Sequence, residues 1–298
     1  MVKRSDITRA FHEVRAEFPF PDYMDNNLNK YIIIISQLAK QHSPKSKVLS
    51  IGSGPCDLEA ILSKLGYDIT AVDDLKERWH LIGKNRERIK YFAKRMNIKL
   101  MSQPVQIIKG KENYFDAVLL IDIIEHLHRS PRDLLNYSIS SLKTGGLLLI
   151  GTPNSVALAK RVKVLLGKTN YVSANLFYWS IGEYRSHVRE YTKSELKQVL
   201  SYHNLTVVNS KMRNILTDMT DMTNQGAFFQ KIIVKTYKLI SGLYPNFRDT
   251  IVISGKKPKD WHPTNNSIKN FSEYYFYIEK WNLDNEPDEL SINKMLRS

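Results

Sequence analysis

The chain of 298 residues contains one cysteine, Cys56, and that scarcity removes several chemistries at once. A single thiol makes neither an intramolecular disulfide nor a Cys-x-x-Cys zinc site, so the sequence fits a reducing, cytoplasmic setting. Long apolar runs are also lacking. The stretch 32–35 is far too short to cross a bilayer, and the first residues lack the apolar core of a signal peptide, so any membrane contact is expected to be peripheral. Internal repeats and low-complexity segments are lacking too, while a hydrophobic content of 42% with 25% charged residues is enough to bury a globular core.

Acidic residues are in deficit: 44 Lys and Arg stand against 30 Asp and Glu, a net charge of +14. Much of the excess lies between 76 and 99, where nine basic residues face only Glu77 and Glu87. Such a run is most simply a solvated helix face, because few aromatics (Trp79, Tyr91, Phe92) interleave it for base stacking. A nucleic acid, an anionic membrane or an acidic substrate is the alternative partner.

The most informative segment is Lys47-Val48-Leu49-Ser50-Ile51-Gly52-Ser53-Gly54-Pro55-Cys56-Asp57. Its apolar residues suit a parallel strand covered on both faces, and Gly52 and Gly54 permit a tight turn that a ligand can approach closely. Helical spacing follows over 58–65 to a stop at Gly66, then a strand over 68–72 that ends at Asp73, 21 residues beyond Gly52. That distance suits a carboxylate accepting hydrogen bonds from a ribose. A dinucleotide would need a third pyrophosphate glycine where Asp57 stands, so a cationic nucleoside fits better than a dehydrogenase cofactor.

The remainder extends the alternation. Helices are expected over 1–46, interrupted by Phe18-Pro19-Phe20-Pro21, then over 83–96, 131–142 and from the capping box Thr192-Lys193-Ser194-Glu195 to Leu200. Strands are expected at 98–101, 115–122, 147–151, 205–208 and 250–254. Insertions interrupt the pattern at about 155–186 and 211–248, and a polar, aromatic extension runs over 258–298. The amphipathic helix at 228–244 is expected to pack on its own domain or a second copy of the chain, with a membrane surface as the other partner for its lysines.

These segments resemble the class I S-adenosylmethionine-dependent methyltransferases over about residues 45 to 255. The Gly-x-Gly turn, the acid closing the second strand, the run Phe115 to Leu127 with its Glu-His-Leu ending and the Gly-Gly-Leu-Leu-Leu-Ile strand all match, and His187-Val188-Arg189-Glu190-Tyr191-Thr192 is similar to a stretch of the small-molecule and glycan-modifying branch. Two positions depart: Cys56 replaces the third glycine, and Ser50 replaces an acid often found before the turn. The resemblance implies an α/β, Rossmann-like, doubly wound sheet of seven strands, mostly parallel with an antiparallel last strand, plus helical lids, with a methyltransferase domain over 47–257. S-adenosylmethionine is then the expected cofactor.

Open α/β sheets bind ligands at the carboxyl ends of their strands, near the reversal of strand order. The cofactor is therefore expected on Gly52, Ser53, Gly54 and Asp73, with Asp74 as the neighbouring choice and Asp122 and Ile123 at the methyl end. Leu75, Ser102 and Gln103 are the adenine candidates that the family implies. His126 and His187 are the candidate bases for a hydroxyl acceptor. Tyr178, Trp179, Arg185 and Arg189 are the candidates for holding a small-molecule or glycan acceptor, including a lipid-linked one, by stacking and bidentate bonds. Glu125-His126 alone is too small a set for a metal, and none is expected. RNA methylation is the rival reading, but it lacks support: there is no Asn/Asp-Pro-Pro-Tyr motif, no cysteine pair and no recognisable RNA-binding module. A catalytically inactive nucleoside-binding protein is the third.

Overall fold

A seven-stranded sheet in the order β3-β2-β1-β4-β5-β7-β6 organises the chain. The computed structural model describes residues 2–103, 111–180, 184–215 and 228–264. Residues 216–227 of the second insertion, and the extension beyond Thr264, lie outside the described residues.

Three helices open the chain: α1 (Arg4–Glu17), α2 (Pro21–Met24) and α3 (Leu28–Ala39). The alternating part follows as β1 (Lys47–Ile51), α4 (Asp57–Lys64), β2 (Asp68–Val72), α5 (Asn85–Arg95), β3 (Lys99–Met101), β4 (Phe115–Ile121), α6 (Arg132–Ser141) and β5 (Leu142–Pro153). The first insertion carries α7 (Leu158–Leu165) and α8 (Ala174–Tyr178); then come α9 (Lys193–Tyr202), β6 (Thr206–Arg213), α10 (Phe228–Leu243) and β7 (Thr250–Lys256). Strands β1 to β5 pair in parallel, whereas β7 runs antiparallel to both β5 and β6.

Adjacent residues of each strand feed opposite faces of the sheet, as the pleat requires. Val48, Leu119 and Leu149 join Ile7, Phe11, Ile35 and Leu38 from the opening helices together with Ile61 and Phe92. Their neighbours Leu49, Leu120 and Ile150 join Leu135, Ile139, Leu196 and Leu200 on the other face. The opening helices are thus one wall of the core, with Ile7, Val14, Ile35 and Leu38 wholly buried. The basic α5 behaves as a solvated helix: Ile89, Phe92 and Ala93 face inward. Part of its charge is used internally, where Arg95 pairs with Glu17 at 2.8 Å and Arg88 donates to the Pro19 carbonyl.

Two strands run longer than their residues suggest. β6 continues through polar Asn209, Ser210 and Lys211 because each is paired with β7 along an otherwise open edge. β5 begins at Leu142 rather than after Gly146, with a register break opposite Phe115 and Ala117. Both elements carry polar or glycine residues where the periodicity signal is weakest. Helix α10 lies within the expected 228–244, and hydrogen bonds tie it down: Asn214 donates to Ser241 Oγ, the Tyr237 hydroxyl donates to the Phe247 carbonyl, and Arg248 donates to the Ser241 and Gly242 carbonyls. Among the described residues no helix is long and apolar enough to cross a membrane.

Candidate active site

Strand β1 ends in a turn whose backbone only small residues tolerate. Gly52 and Gly54 have φ of +71° and +53°. A Cβ at Gly52 would stand 1.8 Å from Ile123 Cδ1, whereas one at Gly54 would meet nothing within 4 Å. The first glycine lets β1 and the end of β4 close together, and the second leaves open space above the turn. Cys56, in the place of the family's third glycine, also sits at positive φ, +67°. Its thiol is fully buried beside Ser53 Oγ at 3.6 Å, and burial raises its pKa well above the ordinary value. A disulfide-exchange reagent is therefore expected to leave the native protein unlabelled and to titrate one thiol after denaturation; rapid native labelling would contradict this placement.

Asp73 binds the turn to the end of β2. Its Oδ2 accepts the Gly54 N–H and its Oδ1 the Leu75 N–H, both at 2.7 Å. Burial raises its pKa, and these two backbone donors pull it back. A carboxylate has about four acceptor positions, so two remain for a ligand. Asp74 is engaged elsewhere: Arg185 Nη2 donates to both of its oxygens, and Arg185 Nε donates to Glu77 at 2.9 Å. Leu75 is buried, Ser102 Oγ is buried without a partner, and Gln103 closes the described part of that loop. His80, 1% exposed, has no partner for either ring nitrogen and lies close enough to Asp73 to feel its charge. Unpartnered polar atoms thus stand beside an open turn.

The opening helices contribute groups that periodicity could not place here. Lys30 Nζ lies 2.5 Å from Asp122 Oδ2. Burial opposes the lysine's charge, but Asp122 outweighs it and raises the pKa. The Tyr31 hydroxyl donates to Asp57, so that carboxylate is buried against α3. Tyr31→Phe leaves it without that donor and is expected to cost about 1–3 kcal/mol of stability, read as a lower denaturant midpoint. An unchanged midpoint would refute the coupling. The acid missing at Ser50 is supplied from α4: Ser50 Oγ donates to Glu59 Oε1 at 2.5 Å. An acid two positions inside α4 was the available signal for it.

The end of β4 gathers the second half of the site. Residues 124–126 form a short 3-10 turn after Asp122, which itself has φ of +54°. The Glu125 carbonyl accepts the Val188 and Arg189 N–H groups at 2.7 and 3.1 Å, which brings His187 beside His126 with ring centroids 4.9 Å apart. His126 Nδ1 donates to the Arg185 carbonyl at 2.8 Å, and His187 Nδ1 lies 2.9 Å from Glu190 Oε1. Both rings therefore present Nε2. Burial lowers the His126 pKa, while the Glu190 bond raises that of His187. Glu125 Oε2 accepts the Thr152 hydroxyl at 2.9 Å, and burial followed by the Asp122 charge pushes its pKa to about 7.

The four acceptor candidates are not gathered in this way. Tyr178 and Trp179 are 76% and 74% exposed and stack edge-on against each other. Arg185 holds the loop after β2, and Arg189 pairs with Glu195 at 3.2 Å. Neither α7 nor α8 has a buried residue.

Comparison with known proteins bears on the family and the fold. Residues 24–210 match the methyltransferase-domain family. A ubiquinone biosynthesis O-methyltransferase of Rickettsia typhi is 22% identical over 188 residues, covering 61% of this chain and 69% of that protein. One from Caulobacter is 28% identical over 121 residues, covering 38% and 45%. Among solved structures, phosphoethanolamine N-methyltransferase 2 of Haemonchus contortus, in complex with S-adenosylmethionine, shares the fold at a TM-score of 0.51 and 15% identity, covering 78% of this chain and 53% of its own. With its family match extending over most of the sheet, the chain belongs to the methyltransferase-domain family as a class I S-adenosylmethionine-dependent methyltransferase.

Proposed function

We propose that the enzyme methylates a hydroxyl oxygen of a small-molecule acceptor. The observation that carries this reading is the grouping of Glu125, His126 and His187 at the end of β4, beside Asp122. The O-methyltransferases among its relatives support the same acceptor atom. Gly52, Ser53, Gly54 and Asp73 would hold the adenosyl part of the cofactor, and Ile123 and Asp122 would line its methyl end. Bound S-adenosylmethionine supplies a methyl group already activated by its sulfonium charge. The protein's share is alignment and proton removal. His126, kept neutral by burial and fixed with hydrogen on Nδ1 by the Arg185 carbonyl, holds Nε2 ready to take the hydroxyl proton. Lys30 and α3 cover the same end from the other side.

The test is turnover of hydroxylated acceptors, scored by mass spectrometry for methyl gain and for its position. Methylation on oxygen, lost in His126→Ala with donor affinity kept, is the expected result. Methylation confined to nitrogen, or activity on RNA alone, would overturn the reading.

A further inference from the structure

We infer that Glu125, His126 and His187 form a seat for one divalent transition-metal ion of the zinc type, which binds and orients the acceptor hydroxyl. This rests on the hydroxyl reading above and names what meets that hydroxyl. One ligand atom from each residue lies within 4.8 Å of the other two. Two imidazoles and one carboxylate are a donor set suited to zinc or cobalt, rather than to the oxygen-seeking calcium and magnesium. Three protein ligands with an open fourth position is also the arrangement of catalytic zinc.

Three observations separate this cluster from a chance meeting of titratable groups. Each imidazole has Nδ1 engaged, by the Arg185 carbonyl in one case and the Glu190 carboxylate in the other, which leaves both Nε2 atoms as donors. Outer partners of this kind fix the tautomer and orientation of ligating histidines. Glu125 is wholly buried, and its Oε1 has no hydrogen-bond partner. An unpaired buried carboxyl oxygen is costly unless a proton or a cation meets it, and a metal ion in this place displaces that proton. Among the described residues, four basic side chains around the cluster are committed to other acids: Lys30 to Asp122, Lys160 to Glu190, Arg185 to Asp74 and Glu77, and Arg189 to Glu195.

Zinc bonds of about 2.0–2.2 Å require ligand atoms roughly 3.4 Å apart, so separations of up to 4.8 Å must close by up to about 1.4 Å. His187, 38% exposed at its side chain, has room to do so. With the ion seated, its charge eases loss of the hydroxyl proton to solvent, and His126 Nε2, the base of the metal-free site described above, becomes a ligand. An acceptor that itself ligates well, such as a phenol or a vicinal diol, is the class this seat favours.

The experiment is calorimetric titration of the metal-stripped full chain with Zn2+, together with the visible spectrum of the Co2+-loaded protein. The wild type is expected to bind one ion and to show the ligand-field bands of a nitrogen-coordinated cobalt site. His187→Gln and Glu125→Gln are expected to weaken binding on the order of 100-fold, and Glu190→Gln on the order of 10-fold through loss of the outer partner. Folding of each variant is checked by its S-adenosylmethionine affinity, which depends on Asp73 and not on this cluster. No stoichiometric Zn2+ in the wild type, or equal affinity in His187→Gln and Glu125→Gln, would overturn the inference. Donor binding without metal binding would sink the metal seat alone. Metal binding without methyl transfer to oxygen would sink the hydroxyl reading and leave the seat.

Discussion

Asp73→Ala is expected to lower S-adenosylmethionine affinity on the order of 100-fold, with the fold retained. Under the proposed ribose role, two charge-assisted hydrogen bonds to vicinal hydroxyls, together worth roughly 3 kcal/mol, would account for that factor. The loss has a second source in the protein itself. Asp73 also takes the Gly54 and Leu75 N–H groups, so its removal frees the turn after β1 as well as the ribose. Asp73→Asn keeps one acceptor oxygen and is expected to fall between the two. Calorimetry of all three proteins, with NAD as the non-binding comparison, makes the measurement. Full affinity in Asp73→Ala would remove the ribose assignment, and tight NAD binding would remove the methyl-donor site.

The second large effect concerns stability against pH, and it arises at Glu59. Burial, aided by the adjacent Asp57, raises its carboxyl pKa to about 8 from an ordinary 4.5. Below 4.5 both folded and unfolded chains hold the proton. Above it only the folded chain does, so the stability this group contributes declines as pH climbs until the folded form also ionises near pH 8. At about 1.4 kcal/mol for each pH interval of one, the decline amounts to a few kcal/mol. Glu59→Gln keeps an oxygen for the Ser50 hydroxyl and removes the titration. Urea unfolding between about pH 5 and pH 8 is expected to show a shallower decline in the variant, which becomes the more stable protein at the alkaline end. Asp57, whose pKa burial also raises, leaves a residual slope in both. Parallel curves would refute the assignment to Glu59.

The sheet was legible in the sequence wherever one physical signal dominated. Val48, Leu49 and Ile51 are apolar because β1 is covered on both faces, and Gly52 and Gly54 announce a turn that other residues strain to make. The groupings that depend on contacts distant in sequence were not legible. Lys30 meets Asp122 across 92 positions, and Arg185 reaches Asp74 across 111. Periodicity reports which face of an element is buried and is silent about what covers it. For the same reason the Glu125-His126 pair looked too small for a metal, since its third member is supplied by hydrogen bonds from Val188 and Arg189 to the Glu125 backbone. Exposed aromatics such as Tyr178 and Trp179 carry no periodic signal that distinguishes a lid from a surface.

The placement of β7 between β5 and β6 bears on how the chain is made. β6 is completed at Arg213, yet among the described residues its one partner in the sheet begins at Thr250. During synthesis the strand therefore waits, unpaired, while some three dozen further residues emerge, and the outer edge of β5 stays bare for the same interval. A nascent chain halted before Thr250 would carry a finished turn after β1 and two open strand edges at once. Sites assembled early and sheets closed late are the circumstance in which a chaperone finds its substrate.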